Sequence, residues 1–203
     1  ALDPDLAHSV SGLRRQLHHA ARHPRNPILV GDRPWERHMI ECNGRAVLFD
    51  ETRSRFRMWY VAAWLDETMP EGCRYLTCYA ESVDGVEWER PELGQRDWRG
   101  SQTNQIRCGV RWMRRPNVID DGSEADPARR FKMTYVDYPV DERVAVVTAT
   151  SSDGLAWSAS KRPWYRRQHN ANLLGWHEDS GRYVFFPRYT EDGVQGVGRA
   201  TSA

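Results

Sequence analysis

Two hydrophobic periods divide this chain. Over residues 3 to 22, Leu6, Val10, Leu13 and Leu17 fall on one helical face. Asp3-Pro4-Asp5 supplies a start signal. Arg14, Arg15, His18 and His19 place cations near the far end, where the helix dipole favours them. The pattern predicts a short N-terminal helix within an arm spanning 1–25. From Pro27 onward the period shortens to that of strands, and apolar runs are separated by Gly, Asp, Asn and Pro.

One stretch organises the strand region. Ser82-Val83-Asp84-Gly85-Val86-Glu87-Trp88 returns as Ser151-Ser152-Asp153-Gly154-Leu155-Ala156-Trp157. Ala200-Thr201-Ser202 approaches the same point a third time. Asp-Gly is a turn dipeptide, because Gly takes a positive φ cheaply and Asp accepts hydrogen bonds from the backbone just ahead of it. The Trp three places later covers the turn. Each copy therefore reads as a self-closing β-hairpin whose first duty is to build the fold.

Three units superimpose around these turns. Val47-Leu48-Phe49-Asp50 leads through a turn to Phe56-Arg57-Met58-Trp59-Tyr60. Asn117-Val118-Ile119-Asp120 leads to Phe131-Lys132-Met133-Thr134-Tyr135, and Leu173-Leu174-Gly175-Trp176 to Tyr183-Val184-Phe185-Phe186. With the strand ending near Ala80, Ala149 or Ala200 and the strand after the turn, each unit is a four-stranded antiparallel meander. Meanders repeated about an axis make a β-propeller. The expected fold is thus all-β, with about two and a half to three four-stranded blades over 26–203. A closed propeller needs at least about four blades, so further C-terminal blades of the same protein are expected beyond Ala203. A β-sandwich is the structural alternative.

Composition narrows the function. The 29 Lys and Arg against 28 Asp and Glu leave a net charge of +1, which argues against nucleic acid as a partner. No apolar run reaches membrane-span length, and no secretory leader is recognisable, so the compartment stays open. Cys42, Cys73, Cys78 and Cys108 match no zinc or redox spacing. Cys73 and Cys78 either face each other or are free thiols. His18, His19 and His23 lack a carboxylate or cysteine at ligand spacing and read as a solvated helix end. No metal or cofactor is expected from any motif. Nine Trp and eight Tyr suit both β-structure and sugar stacking.

Several stretches together carry a family resemblance: Asn26-Pro27-Ile28-Leu29, Asp32-x-Pro34-Trp35-Glu36, Phe56-Arg57-Met58-Trp59-Tyr60, the two Ser-x-Asp-Gly-x-x-Trp turns and Arg188-Tyr189. They look like the five-bladed propeller proteins, many of them bacterial, that are related to glycoside hydrolase families 43 and 32. The resemblance spans roughly Asn26 to Ala203. It implies five blades, a sugar funnel on the axis lined by each innermost strand, and hydrolysis by paired carboxylic acids. Sialidases resemble the chain less, because their turns usually hold one more residue between Asp and Gly.

The acids of family 43 lie just before the apolar core of the innermost strand. Here those places hold Arg115, a site near Arg45, and a site near Asn172 with His169 and Asn170 upstream. The remaining acids near the expected funnel are Glu36, Glu41 and Asp120. Glu36, beside Trp35, is the first candidate acid or base, since a carboxyl against an indole is of the kind that desolvation activates. Asp120 is the second, with a turn-capping role as its alternative. Strand alternation does not phase Glu41. Trp35, Arg45, Asn104, Arg115, His169, Asn170 and Arg188 are the candidate substrate-binding residues, and the three arginines suit an acidic sugar. Two functions follow: a glycoside hydrolase-like propeller acting on a glycan by carboxylate acid/base chemistry, or a carbohydrate-binding propeller without catalysis.

Overall fold

The computed structural model describes residues 12, 16, 18–42, 45–68, 72–108, 113–137, 144–161, 163–166, 171–191 and 193–202. Of the helix expected over 3–22, residues 3–11, 13–15 and 17 lie outside the described residues, and 18–22 have no regular secondary structure. The regular elements described are strands and three-residue 3-10 turns such as Pro34–Glu36.

Three antiparallel sheets follow one another. In the first, β1 (Met39–Glu41) and β2 (Val47–Asp50) share one edge of the long β3 (Arg55–Leu65), so the innermost strand is interrupted. β4 (Cys73–Ser82) lies along the other edge. An outer strand is reduced to two bridges, Glu89 with Glu81 and Gln105 with Cys78. Between them residues 90–103 loop out, carrying the small hairpin of β5 (Asp97–Trp98) and β6 (Ser101–Gln102). The second sheet runs β7 (Arg114–Asp120), β8 (Phe131–Asp137), β9 (Ala145–Ser151), then β10 (Ser158–Ala159) and β11 (Tyr165–Arg166) along its outer edge. In the third, β12 (Ala171–His177) pairs with β13 (Arg182–Glu191). β14 (Val194–Val197) and β15 (Ala200–Ser202) share the far edge of β13.

Strand register shows the kinship of the units directly. Phe56 pairs with Ser82, Phe131 with Ser151 and Tyr183 with Ser202. Met58, Met133 and Phe185 pair with Ala80, Ala149 and Ala200. The large side chain of each pair fills space that the small partner leaves open. The Asp-Gly turns after β4 and β9 are also built alike. Ser82 Oγ accepts from the Gly85 amide at 2.9 Å, and Asp84 Oδ1 accepts from the Val86 and Glu87 amides at 2.8 Å. Ser151 Oγ and Asp153 Oδ1 do the same for Gly154, Leu155 and Ala156. Trp88 Nε1 donates to Gly85 O at 3.1 Å and Trp157 Nε1 to Gly154 O at 2.9 Å. Each turn's orphan amides thus find acceptors within seven residues of sequence, which is why the motif closes locally.

Alternation along β3 separates two cores. Trp59, with Tyr79 of β4, packs against Val118, Phe131, Met133, Tyr135 and Trp157 of the second sheet. Met58, Tyr60 and Ala62 point the other way, toward Trp35, Leu76 and Cys78. Ile119 and Phe185, with Trp164 and Tyr183, join the second sheet to the third. Cys73 and Cys78 sit five residues apart on β4 and so project to opposite faces. All four cysteines are free thiols.

The turn at Gly154 plugs into the first sheet. Arg57 Nη2 donates to Asp153 O at 2.5 Å and Trp59 Nε1 to Gly154 O at 2.8 Å. Arg57 is itself buried among the rings of Trp59, Tyr79 and Phe131. Its remaining donors reach Tyr79 Oη at 2.9 Å and Asp50 at 3.4 Å, so the buried charge is partnered on every side. The sheets are thus stacked face to face with strands β2, β7 and β12 innermost, as successive propeller blades are.

Candidate functional site

Residues on or beside the three innermost strands line an open pocket of about 340 Å³. Arg45, Leu48 and Phe49 come from the first blade, Ile119, Asp120 and Asp121 from the second, Gly175 and Trp176 from the third. Arg45 is held by the backbone: its amide donates to Asn117 Oδ1 at 3.2 Å and its carbonyl accepts from Val118 N at 2.8 Å. Gly175, at φ 133°, brings the third strand close to Arg45; a Cβ there would lie 3.5 Å from Arg45 Nη1. Phe49 and Trp176 leave 46% and 44% of their surfaces open to solvent, which makes them free platforms for a ring. Phe56 and Tyr183 brace them edge-on at 4.9 and 5.0 Å.

The carboxylates of this pocket are engaged. Asp120 takes a fork of two hydrogen bonds from Arg130, at 2.7 and 2.6 Å. Asp121 accepts from Lys132 Nζ at 2.8 Å, from Ser123 Oγ at 2.7 Å and from the Tyr183 hydroxyl. Burial opposes the Asp121 charge, but hydrogen bonds from Lys132, Tyr183 and Ser123 outweigh it and hold the carboxyl well below the usual range. The stabilisation from this group is therefore complete above the unfolded value of about 4 and is lost as pH falls through the depressed folded value. Asp121→Asn is expected to lower the urea midpoint at pH 7, with the deficit shrinking toward about pH 2. A deficit of equal size at both pH values would exclude this ion pair as its source.

The other sequence-selected residues lie elsewhere. Trp35, Glu36 and Asn104 form one buried network on the far face of the first blade. Pro34–Glu36 is a 3-10 turn that drops Glu36 to 1% exposure. Tyr60 Oη donates to Glu36 Oε1 at 2.5 Å, and Arg90 Nη1 to Oε2 at 2.6 Å. Asn104 Nδ2 reaches Tyr60 Oη at 2.6 Å and Tyr79 O at 2.8 Å, while its Oδ1 accepts from Trp35 Nε1 at 3.1 Å. Burial, with Cys78 and Glu36 nearby, pushes the Tyr60 hydroxyl far up, so it stays a donor. Asn104 sits on the outer edge of the first blade, its carbonyl accepting from Tyr79 N at 2.9 Å.

The arginines divide between the two ends of the inner strands. Arg115 sits in a bulge of β7, between Arg114 and Asn117, with φ at 56°. It precedes Asp120 by five strand positions, roughly 16 Å at about 3.3 Å per residue. Arg188 follows Pro187, which pairs with Ala171 at the start of β12, so it too lies at the end away from Asp120. Arg45 joins Asp120 in the pocket; Arg115 and Arg188 are not among its walls. Glu41 is half-buried opposite Val61. His169 and Asn170 lie outside the described residues. Phe49 and Trp176 line this pocket but are not among the residues selected from sequence. Their signal is an aromatic at the last-but-one strand position in two of three units, which on sequence reads as strand patterning. Among the described residues no group of three or more His, Cys, Asp or Glu side chains is placed to hold a metal ion.

Stacked four-stranded meanders with a pocket between their innermost strands define an arc of a β-propeller. Solved structures agree on the fold. The chain is similar to a thermostable family-43 glycoside hydrolase, with a TM-score of 0.51 and 15% identity over 82% of this chain and 49% of that one. It is similar to the Bombyx mori GH32 beta-fructofuranosidase BmSUC1, solved as a mutant with sucrose, at TM-score 0.52 and 11% identity over 79% of this chain and 33% of that one. An N-acetylgalactosamine deacetylase from F. plautii, in complex with blood group B trisaccharide, matches at TM-score 0.58 and 15% identity over 87% and 52%. The chain therefore spans about a third to a half of the length of these proteins. No protein-family model and no curated protein matches it.

Proposed function

We propose that this chain is a glycan-recognising part of a glycosidase-like propeller, and that the axial pocket binds a sugar without cleaving it. The observation that supports this reading is a pocket between three blades whose lining includes two half-exposed aromatic residues, Phe49 and Trp176, with Arg45 and Asp120. Rings take the apolar face of a sugar, and the charged groups take its hydroxyls.

Hydrolysis needs a carboxylic acid that donates a proton to the leaving oxygen and a second carboxylate that attacks or activates water. Asp121 is held ionised and Asp120 is bound in an arginine fork, so neither is poised to donate. Glu36, the first candidate for that role, is closed off by Tyr60 and Arg90; its role in this reading is to hold the first blade together. The hydrolase reading is favoured by the fold shared with a family-43 glycoside hydrolase and a GH32 fructofuranosidase. In that case the acids come from parts of the protein other than this pocket.

Neutral oligosaccharides titrated into the protein by calorimetry, with products followed by chromatography, separate the two. Binding without product release is expected. Trp176→Ala should weaken it about tenfold, the worth of roughly 1.4 kcal/mol. Product release that survives Trp176→Ala would overturn the assignment of the axial pocket.

A further inference from the structure

The loop of residues 90–103 has only a four-residue counterpart, 160–163, in the second blade, although the flanking outer-strand pairs match: Glu89 with Glu81, and Ser158 with Thr150. Against β3 and β4 this insertion closes a recess of about 420 Å³. Trp64 and Trp98 meet edge-to-face in its wall, with ring centroids 4.3 Å apart. Arg74 lies over Trp64 at 5.7 Å and Arg99 over Trp98 at 5.8 Å. Arg96 completes a set of three guanidinium groups around the space.

The charges of this recess are incompletely matched. Arg74 pairs with Asp66 at 3.1 Å, and Asp97 is the carboxylate among the lining residues. Arg96 makes no ion pair among the described residues, and its buried Nε meets no acceptor. Burial, with Arg107 and Arg74 nearby, disfavours its charge. Gln105, 3% exposed and part of the same wall, has a buried Nε2 that also lacks an acceptor. Buried donors without acceptors are costly in a folded protein and mark a place where a ligand's oxygens are wanted. Arg99 stands at φ 49° beside Gly100 at φ 87°, in a tight hairpin turn that Asn or Gly would occupy more cheaply. That turn places Arg99 in the lining of the recess.

We propose that this recess is a second saccharide site, separate from the axial pocket and specific for sugars that carry a carboxylate. It rests on the glycan-binding reading above. The guanidinium of Arg96 offers the planar fork that matches a carboxylate, Arg74 and Arg99 supply further donors, and Gln105 Nε2 donates to a ring or hydroxyl oxygen. The tryptophans hold the arginines flat and supply apolar surface for the sugar ring.

Trigalacturonate, its neutral counterpart galactotriose, and free sulfate are the probes, titrated into the full chain by calorimetry. Trigalacturonate is expected to bind at least tenfold more tightly than galactotriose at this recess. Arg96→Met should weaken it at least tenfold. Arg99→Gly should weaken it about threefold with an unchanged or higher Tm, because Gly accepts the positive φ without strain. That variant keeps the test independent of folding. Trp176→Ala should leave trigalacturonate binding unchanged. Loss in Trp176→Ala with none in the arginine variants would overturn the site, as would sulfate binding as tightly as trigalacturonate. Failure of trigalacturonate alone, while neutral sugars still bind through Trp176, would sink this proposal and spare the axial one. Failure of every saccharide would sink both.

Discussion

Gly154→Ala is expected to destabilise the protein by roughly 3 kcal/mol, whereas the same change at Gly85 costs about 1 kcal/mol. The two glycines hold the same place in the same turn, with φ of 73° and 74°. A side chain in that left-handed region costs about 1–2 kcal/mol at either site. Only at Gly154 does a second cost arise. A Cβ there would stand 2.9 Å from Trp59 Cζ2 and 2.9 Å from Arg57 Nη2, both buried and pinned by hydrogen bonds to this turn. At Gly85 the nearest atom is 3.6 Å away, on the Phe56 ring at the edge of an open apolar cleft. Overpacking a site that cannot yield costs about 1–3 kcal/mol more. Urea unfolding of both variants measures the difference. Equal losses would show that the Gly154 turn is not wedged between blades.

Glu36→Gln is expected to cost about 3 kcal/mol of stability while leaving glycan binding at the axial pocket unchanged. The amide keeps the shape but removes the charge that faces Arg90, whose side chain is 10% exposed. Removing one member of a buried pair leaves the other poorly compensated, at about 3–5 kcal/mol. The lower figure applies because Arg90 also reaches Asp32 at 2.7 Å and Val30 O at 3.3 Å. Adding Arg90→Met to Glu36→Gln should recover part of the loss, since no buried charge then remains. A catalytic Glu36 would behave in the opposite way, with normal stability and lost turnover. Chemical denaturation alongside the oligosaccharide assay distinguishes the two outcomes.

The sequence was most informative where physics is local. The Ser-x-Asp-Gly-x-x-Trp turns satisfy their own amides within seven residues, so their geometry was legible from spacing alone. The pairing of large with small residues, Met58 with Ala80 and Met133 with Ala149, also follows from strand alternation once the repeat is seen. Site residues were much less legible. Glu36, Trp35 and Asn104 are polar or aromatic residues in loops by sequence, and such residues read as ligands. Their burial depends on Tyr60 and Arg90, tens of positions away in the chain. Arg45, before β2, and Asp120, at the end of β7, line one pocket. Arg115 and Arg188 were grouped with Arg45 by residue type, but their positions along the strands put them at the other end.

The sequence by itself determined the all-β class, the meander units, their register-setting turns and the resemblance to propeller glycosidases. These rest on short-range hydrogen bonding and on a period of two, which act along the chain. The tertiary structure alone decided which polar side chains face solvent. It locked Glu36 into a blade, brought Phe49 and Trp176 to one pocket, and gathered Arg74, Arg96 and Arg99 around one recess. Those outcomes depend on how sheets stack and on where one insertion folds back, and contacts of that kind join residues with no relation in sequence.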